Sequence, residues 1–265
     1  MWVGNFYLGD GCIVEKNVII DVKKGYIGDR SILRSGVRIQ GTRVEIGNEA
    51  FLDHGSFIGG GSCFDACAYL KAGDFLHMGE RSQINIARGV DIGDEVGIGI
   101  ETKIFTHGAY LSILDGFPAQ WGPVKIGNRV WLPEALINPG VVIGDNVVVA
   151  AKSLVNRDLP DGCLAGGIPV EILKENAYPK RCNPLDVVTE ILAQLNLVGK
   201  IGGVGGNEKG IFVKDAFFDL VNRTIEGPVS KESELVKSQL RRNGIRFRFY
   251  NDKGWYKPWK INKKE

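Results

Sequence analysis

Few side chains in this chain can exchange a proton near neutral pH, because among its 265 residues there are three histidines, His54, His77 and His107. A neutral imidazole is suited to take a proton from a hydroxyl or amine, an effect worth about 10²–10⁴-fold in rate. His107 alone is followed directly by a long irregular stretch, 108-GAYLSILDGFPAQWGP-123, which carries Tyr110, Asp115, Phe117 and Trp121. Aromatic faces with a carboxylate among them suit a sugar ring and its hydroxyls. They suit equally a loop that packs its own aromatics or a neighbouring subunit. The five cysteines, Cys12, Cys63, Cys67, Cys163 and Cys182, are odd in number and fit reduced thiols. Cys63 and Cys67 have no second Cys or His pair at a zinc spacing, so they read as small buried hydrophobes and no metal is expected. The run 199-GKIGGVGGNEKG-210 lacks both a Gly-Lys-Ser/Thr and a complete G-x-G-x-x-G, so it is a connector and not a phosphate loop.

The elements that must position these residues announce themselves by a beat of six. Ile92, Ile98 and Ile104 fall six apart, and the beat resumes at Ile126 and Leu132, then at Ile143, Val149 and Val155. Earlier it runs through Ile27, Leu33, Ile39, Ile46, Leu52 and Ile58, with one step of seven at 39–46 that reads as a one-residue bulge at a corner. Residues 59–69 blur it, and Leu70 and Leu76 restore it. One aliphatic residue in six, followed by Gly, Asn or Asp, suits a coil of short strands. The aliphatics fill a narrow interior, and Gly and Asn accept the corner conformations. Single rungs cannot bury their apolar face, so they must stack. Lys23, Arg30, Arg34 and Arg38 fall off the beat, as outward positions should.

Beyond Leu173 the character changes. Asn183 and Pro184 stand as N-cap and first residue of a helix over 183–198. Residues 211–227 read as one or two strands. Ser230 and Gly244 bracket a second helix, and 245-IRFRFY-250 alternates as a half-buried strand. The expected organisation is therefore mainly β, with a solenoid domain over 1–173 and a small α+β module over 174–265. Net charge is +2, which excludes a global basic field for nucleic acid. The segment from Lys231 is basic, with Trp255, Tyr256 and Trp259 interleaved, and reads as a solvated face. No apolar run reaches the ~20 residues of a membrane span, and the N-terminus has no signal-peptide pattern, so a cytoplasmic protein is expected.

The phrases IGNRVW, NPGVVIGDN, AAKS, VNRDLP and AGGIPVEIL within 124–173 are similar to recurring phrases of the hexapeptide-repeat acyltransferases, acetyltransferase branch, and the likeness extends from about Ile27 to Leu173. The resemblance implies a left-handed parallel β-helix with three repeats per turn, a homotrimer with sites between neighbouring prisms, and acetyl-CoA as acyl donor. It implies that His107, in FTHGAYLS, is the general base. It places Trp131, Ala150, Ala151, Ser153 and Arg157 along the coenzyme, with Lys152 and Lys174 as further phosphate partners. Asn85, Tyr110, Asp115 and Trp121 are the candidates for acceptor contact, the acceptor being a sugar or nucleotide-sugar in surface-polysaccharide biosynthesis. Asn85 and Glu101 are also candidates for orienting the imidazole. The chain departs from the family pattern after Trp131, where 132-LPEALI-137 has Pro133 and Glu134 for small residues and a step of five. A non-catalytic scaffold is the alternative. The carbonic-anhydrase relatives of the same fold, which need three metal-ligating histidines, fit the irregular spacing of His54, His77 and His107 poorly.

Overall fold

The computed structural model describes residues 2–194, 205–207 and 209–259. Most of the 199–210 connector, the end of the helix expected at 183–198, and Lys260, Lys263 and Lys264 lie outside the described residues. The chain divides into two compact units, 1–180 and 181–265. The division falls slightly later than the 173/174 boundary expected from sequence, because strand Glu171–Lys174 turns back and pairs antiparallel with strand Leu164–Gly166 of the coil.

The first unit is the expected left-handed parallel β-helix. One turn of it runs through strands Val90–Ile92, Gly97–Ile98 and Lys103–Ile104, which we call faces A, B and C. The residues on the beat stack into columns. Face C stacks Ile20, Ile39, Ile58, Ile84, Ile104, Ile137 and Val155 in direct register. Face A stacks Ile27, Ile46, Ala72, Ile92, Ile126 and Ile143. Face B stacks Val14, Leu33, Leu52, Met78, Ile98 and Leu132. Apart from the exposed Val14 at the open end, these side chains are buried, and their area removed from water is the driving term for the coil. Leu70 and Leu76 are also buried, but two residues out of phase with the main columns, whose members in that turn are Ala72 and Met78. The step of seven at 39–46 is not a bulge. Residues Arg38–Ile46 form one strand that bends around Gly41 from face C into face A.

The corner between faces A and B explains the Ile-Gly-Asp/Asn phrase. A Cβ at Gly93 would meet Asn128 Oδ1 at 2.6 Å, so only glycine lets the turns approach. The Asp or Asn that follows accepts the backbone N–H of its counterpart one turn earlier: Asp74 N–H to Asp94, Asp94 N–H to Asn128, Asn128 N–H to Asp145, Asp145 N–H to Asp161. The next residue is left-handed, as at Glu95 (φ 58°), Arg129 (φ 55°) and Asn146 (φ 60°). That conformation costs a non-glycine residue about 1–2 kcal/mol. The side-chain ladder and the stacked columns offset the cost.

The five-residue step after Leu132 is a shortened corner between faces B and C. Leu132 still pairs with Ile98, and Ile137 with Ile104, so both strands keep register. The buried Thr102 hydroxyl bridges the gap, donating to the Leu132 carbonyl at 2.7 Å and accepting the Ala135 N–H at 3.1 Å.

The second unit has its own core, including Leu192, Phe218, Leu240, Phe249 and Tyr256. Helix α1 (Pro184–Gln194) begins where Asn183 Oδ1 accepts the Leu185 N–H. Helix α2 (Lys231–Arg242) is capped by Ser230 in a reciprocal box with Ser233, a cap worth about 1 kcal/mol. Three strands, Gly210–Val213, Ala216–Asp219 and Thr224–Pro228, occupy the stretch expected to hold one or two. The strand expected at 245–250 starts only at Phe249 and forms a hairpin with Trp255–Pro258.

Candidate active site

His107 stands where face C ends and the chain turns towards face A. Elsewhere this corner is tight, as at 138-NPG-140 with Gly140 at φ 84°. Twice it opens into an excursion. Residues 60–68 leave after strand Phe57–Gly59 and return at strand Tyr69–Ala72. Residues 108–123 leave after His107 and return at strand Val124–Ile126. The segment 86–89 turns tightly between them. The three glycines 59–61 and the loss of beat at 59–69 were the sequence signal for the first excursion, and counting strands per turn locates it at the His107 corner.

The imidazole is held on one edge by Asn85, one turn away. Asn85 Oδ1 is approached by the Ala87 N–H at 3.2 Å, the Thr106 hydroxyl at 2.5 Å and His107 Nδ1 at 3.0 Å. A backbone N–H can only donate, so this atom of Asn85 is the carbonyl oxygen, and Nδ1 must carry the proton. Nε2 is left with its lone pair. It faces Gly61, where a Cβ would stand 3.5 Å away. The ring stacks on Trp121 at 4.6 Å between centroids and 14° between planes, and the two residues pair across the short hairpin that closes the excursion. Arg88 places its guanidinium 4.1 Å from the indole centroid. Neither Thr106, Arg88 nor Gly61 was singled out from sequence. Tyr69 covers Gly89 at this corner. Its hydroxyl donates to Asp91 at 2.7 Å, which with burial pushes the phenol up to about 12 and keeps it from acting as a base at neutral pH.

A groove of about 560 Å³ runs along face C beside the corner from face B, lined in part by Arg81, Lys103, Glu134, Leu136, Lys152, Ser153 and Ile168. Arg81 pairs with Glu101 at 3.0 Å, and Lys152 with Glu134 at 3.7 Å. Of the residues expected along the coenzyme, Ser153 lines this groove, whereas Trp131, Ala150, Ala151 and Arg157 are not part of its lining. Trp131 is exposed on face B and lies over Gly97. Ala150 and Ala151 form the corner before Lys152. Arg157 follows strand Leu154–Val155, at the corner that carries His107 in its own turn. Tyr110 is 98% exposed, so it makes no packing contact with this site within one chain, and Asp115 sits in a short 3₁₀ turn capped by Ser112. Glu101 lies in the groove and not beside the imidazole. His54 contacts Arg34, and His77 stacks on Phe51. Among the described residues no group of three or more His, Cys, Asp or Glu side chains is placed to hold a metal. Cys63 is buried as expected, while Cys67 is exposed, with its sulfur 3.3 Å from Arg88 Nη1, because it lies on the first excursion. Among the described residues no helix is long and apolar enough to cross a membrane.

No family model matches the chain. It is 32% identical over 116 residues to galactoside O-acetyltransferase of Escherichia coli strain K12, covering 40% of this chain and 57% of that protein. It is 41% identical over 68 residues to a chloramphenicol acetyltransferase of Morganella morganii, covering 25% of this chain and 32% of that protein. A hexapeptide-repeat containing acetyltransferase of Vibrio cholerae, solved with acetyl-coenzyme A, is similar at 27% identity over 50% of this chain and 71% of that one, with a TM-score of 0.43. The chain spans about half the length of the curated relatives it matches. Over part of its repeat-bearing region, this chain is similar in sequence to these acetyltransferases.

Proposed function

We propose that this protein transfers an acetyl group from acetyl-coenzyme A to a hydroxyl or amine of a sugar or sugar-nucleotide, with His107 as general base. The observation that carries the reading is the fixed tautomer of His107, with Nδ1–H bound to Asn85 and Nε2 open beside Gly61. In that arrangement Nε2 takes the acceptor proton as the acceptor attacks the thioester carbonyl. The imidazolium then returns it to the departing thiolate, giving an acetyl ester or amide and a free thiol. The sugar acceptor is supported by the galactoside enzyme among the relatives. Leu136, Leu154 and Ile168 supply an apolar wall for a pantetheine arm, and Lys103 supplies an ammonium group for the coenzyme's phosphates. The carboxylate of Glu134 is balanced by Lys152, so Glu134 in the shortened corner does not leave an uncompensated negative charge in the groove. The protein acts as a homotrimer, with His107 of one copy facing the groove of the next, in the cytoplasm.

The test is a thermal-shift titration with acetyl-coenzyme A and free coenzyme A, followed by turnover with a panel of sugars. Coenzyme at about 100 times its dissociation constant stabilises the fold by about 2.7 kcal/mol. His107→Ala keeps that shift and loses about 10²–10⁴-fold in turnover. No shift at millimolar coenzyme overturns the reading in favour of a non-catalytic scaffold. Full turnover by His107→Ala removes His107 from the chemistry.

A further inference from the structure

We propose that Trp121 and Arg88 are positioning residues, which fix the plane of the His107 ring by a stack that ties the two excursions of this corner together. The proposal rests on the reading of His107 as the base.

Asn85 holds one nitrogen of the imidazole, but a single hydrogen bond leaves the ring free to tilt about the N···O direction. The tilt is fixed by a contact on the face of the ring, and Trp121 makes that contact at 4.6 Å and 14°. Trp121 is in turn held by the Arg88 guanidinium, 4.1 Å from the indole centroid, an arrangement attractive through the ring quadrupole. Arg88 does not swing freely. Its Nη1 donates to the Ala87 carbonyl at 2.9 Å and to Asp65 Oδ2 at 3.2 Å. Asp65 lies on the first excursion and Trp121 on the second, so Asp65, Arg88, Trp121 and His107 form one continuous line of contacts across the corner. The backbone closes the same circuit, since the Arg88 N–H donates to Thr106 Oγ1 at 3.2 Å and the Thr106 hydroxyl donates to Asn85. Edge and face of the imidazole are thus held by neighbouring parts of one network.

The stack also explains how the second excursion stays in place. Tyr110, Leu111, Ile113, Leu114 and Phe117 are all exposed within one chain. Its attachments at the return are the His107–Trp121 pairing, the Gly122 N–H to the Thr106 carbonyl at 3.0 Å, and the Gln120 side chain to the Pro139 carbonyl at 3.2 Å. Trp121 is the aromatic side chain of this excursion that packs back on the corner. With His107 and Arg88 against its indole, Trp121, itself 42% exposed, supports the base.

The experiment combines steady-state kinetics with long-range ¹H–¹⁵N spectra of the imidazoles in wild type, Trp121→Ala, Trp121→Phe and Arg88→Ala. In wild type His107 shows the single Nδ1–H form. In Trp121→Ala the Nδ1–H form persists, because Asn85 still accepts, but its resonances shift and broaden as the ring samples several tilts, and kcat falls about 10²-fold, the scale of a misplaced reacting group, while KM for coenzyme and acceptor stays within about twofold. Trp121→Phe, which keeps a flat ring, restores both. Arg88→Ala shifts both in the same direction by a smaller factor, and serves as the readout if Trp121→Ala does not fold. A raised acceptor KM at unchanged kcat in Trp121→Ala makes Trp121 a substrate platform and overturns the proposal, as does an unchanged imidazole signature. If the wild type transfers no acetyl group, the functional reading fails, and the imidazole signature still decides the stack.

Discussion

At the scale of single residues, Asn85 decides what His107 can do. Its carboxamide oxygen gathers the Ala87 N–H, the Thr106 hydroxyl and His107 Nδ1 within 3.2 Å, and that convergence fixes the tautomer. Asn85→Ala removes the acceptor and lets Nε2 carry the proton in a share of molecules. The expected outcome is a fall in kcat of about 10²–10⁴-fold, the range lost when a base is misplaced or in the wrong tautomer, with the coenzyme thermal shift unchanged. A kcat equal to that of wild type would show that the hydrogen bond is incidental. His107 stood out in the sequence as the candidate base because it precedes the break in the beat. The choice between Asn85, one turn earlier, and Glu101, in the same turn, did not, because the sequence does not show which of them the register brings to the imidazole. The register of the coil places Asn85 at the imidazole and Glu101 against Arg81 in the groove.

At the scale of elements, the coil depends on corners that close with few residues. The shortened corner after Leu132 shows how one missing residue is accommodated, with the Thr102 hydroxyl satisfying the Leu132 carbonyl and the Ala135 N–H. Thr102→Val keeps the shape and removes both bonds, leaving a buried N–H unpaired. It is expected to cost about 1–3 kcal/mol, read as a lowered Tm of about 2–4 °C per kcal/mol for a body of this size. Thr102→Ser should hold its Tm near wild type, and equal Tm values for Thr102→Val and Thr102→Ser would refute the bridging role. From sequence the 132–137 step was a departure from the family pattern, with Pro133 and Glu134 in place of small residues. In three dimensions both flanking strands keep register, and Glu134 and Leu136 line an open groove.

At the scale of the whole molecule, one chain leaves a large apolar surface on the second excursion, where Tyr110 and Leu114 are more than nine-tenths exposed. Such a patch marks an interaction site more often than a free surface, which fits the proposed homotrimer. Sedimentation equilibrium should return three times the 29.0 kDa chain mass, and a monomer at micromolar concentration would count against sites shared between copies. The sequence by itself determined the coil, because the beat of six is a relation between neighbours along the chain and needs no knowledge of what lies across it. It also determined the helix caps at Asn183 and Ser230, which are local hydrogen-bond chemistry. The tertiary structure decided which turns meet. Asp74 reaches Asp94 over 20 residues, yet Asp94 reaches Asn128 over 34 because an excursion intervenes. Contacts between turns depend on the length of every loop between them, so the partners of His107, Trp121 and Glu134 emerge only when the coil is closed and its register set by the stacked aliphatic columns.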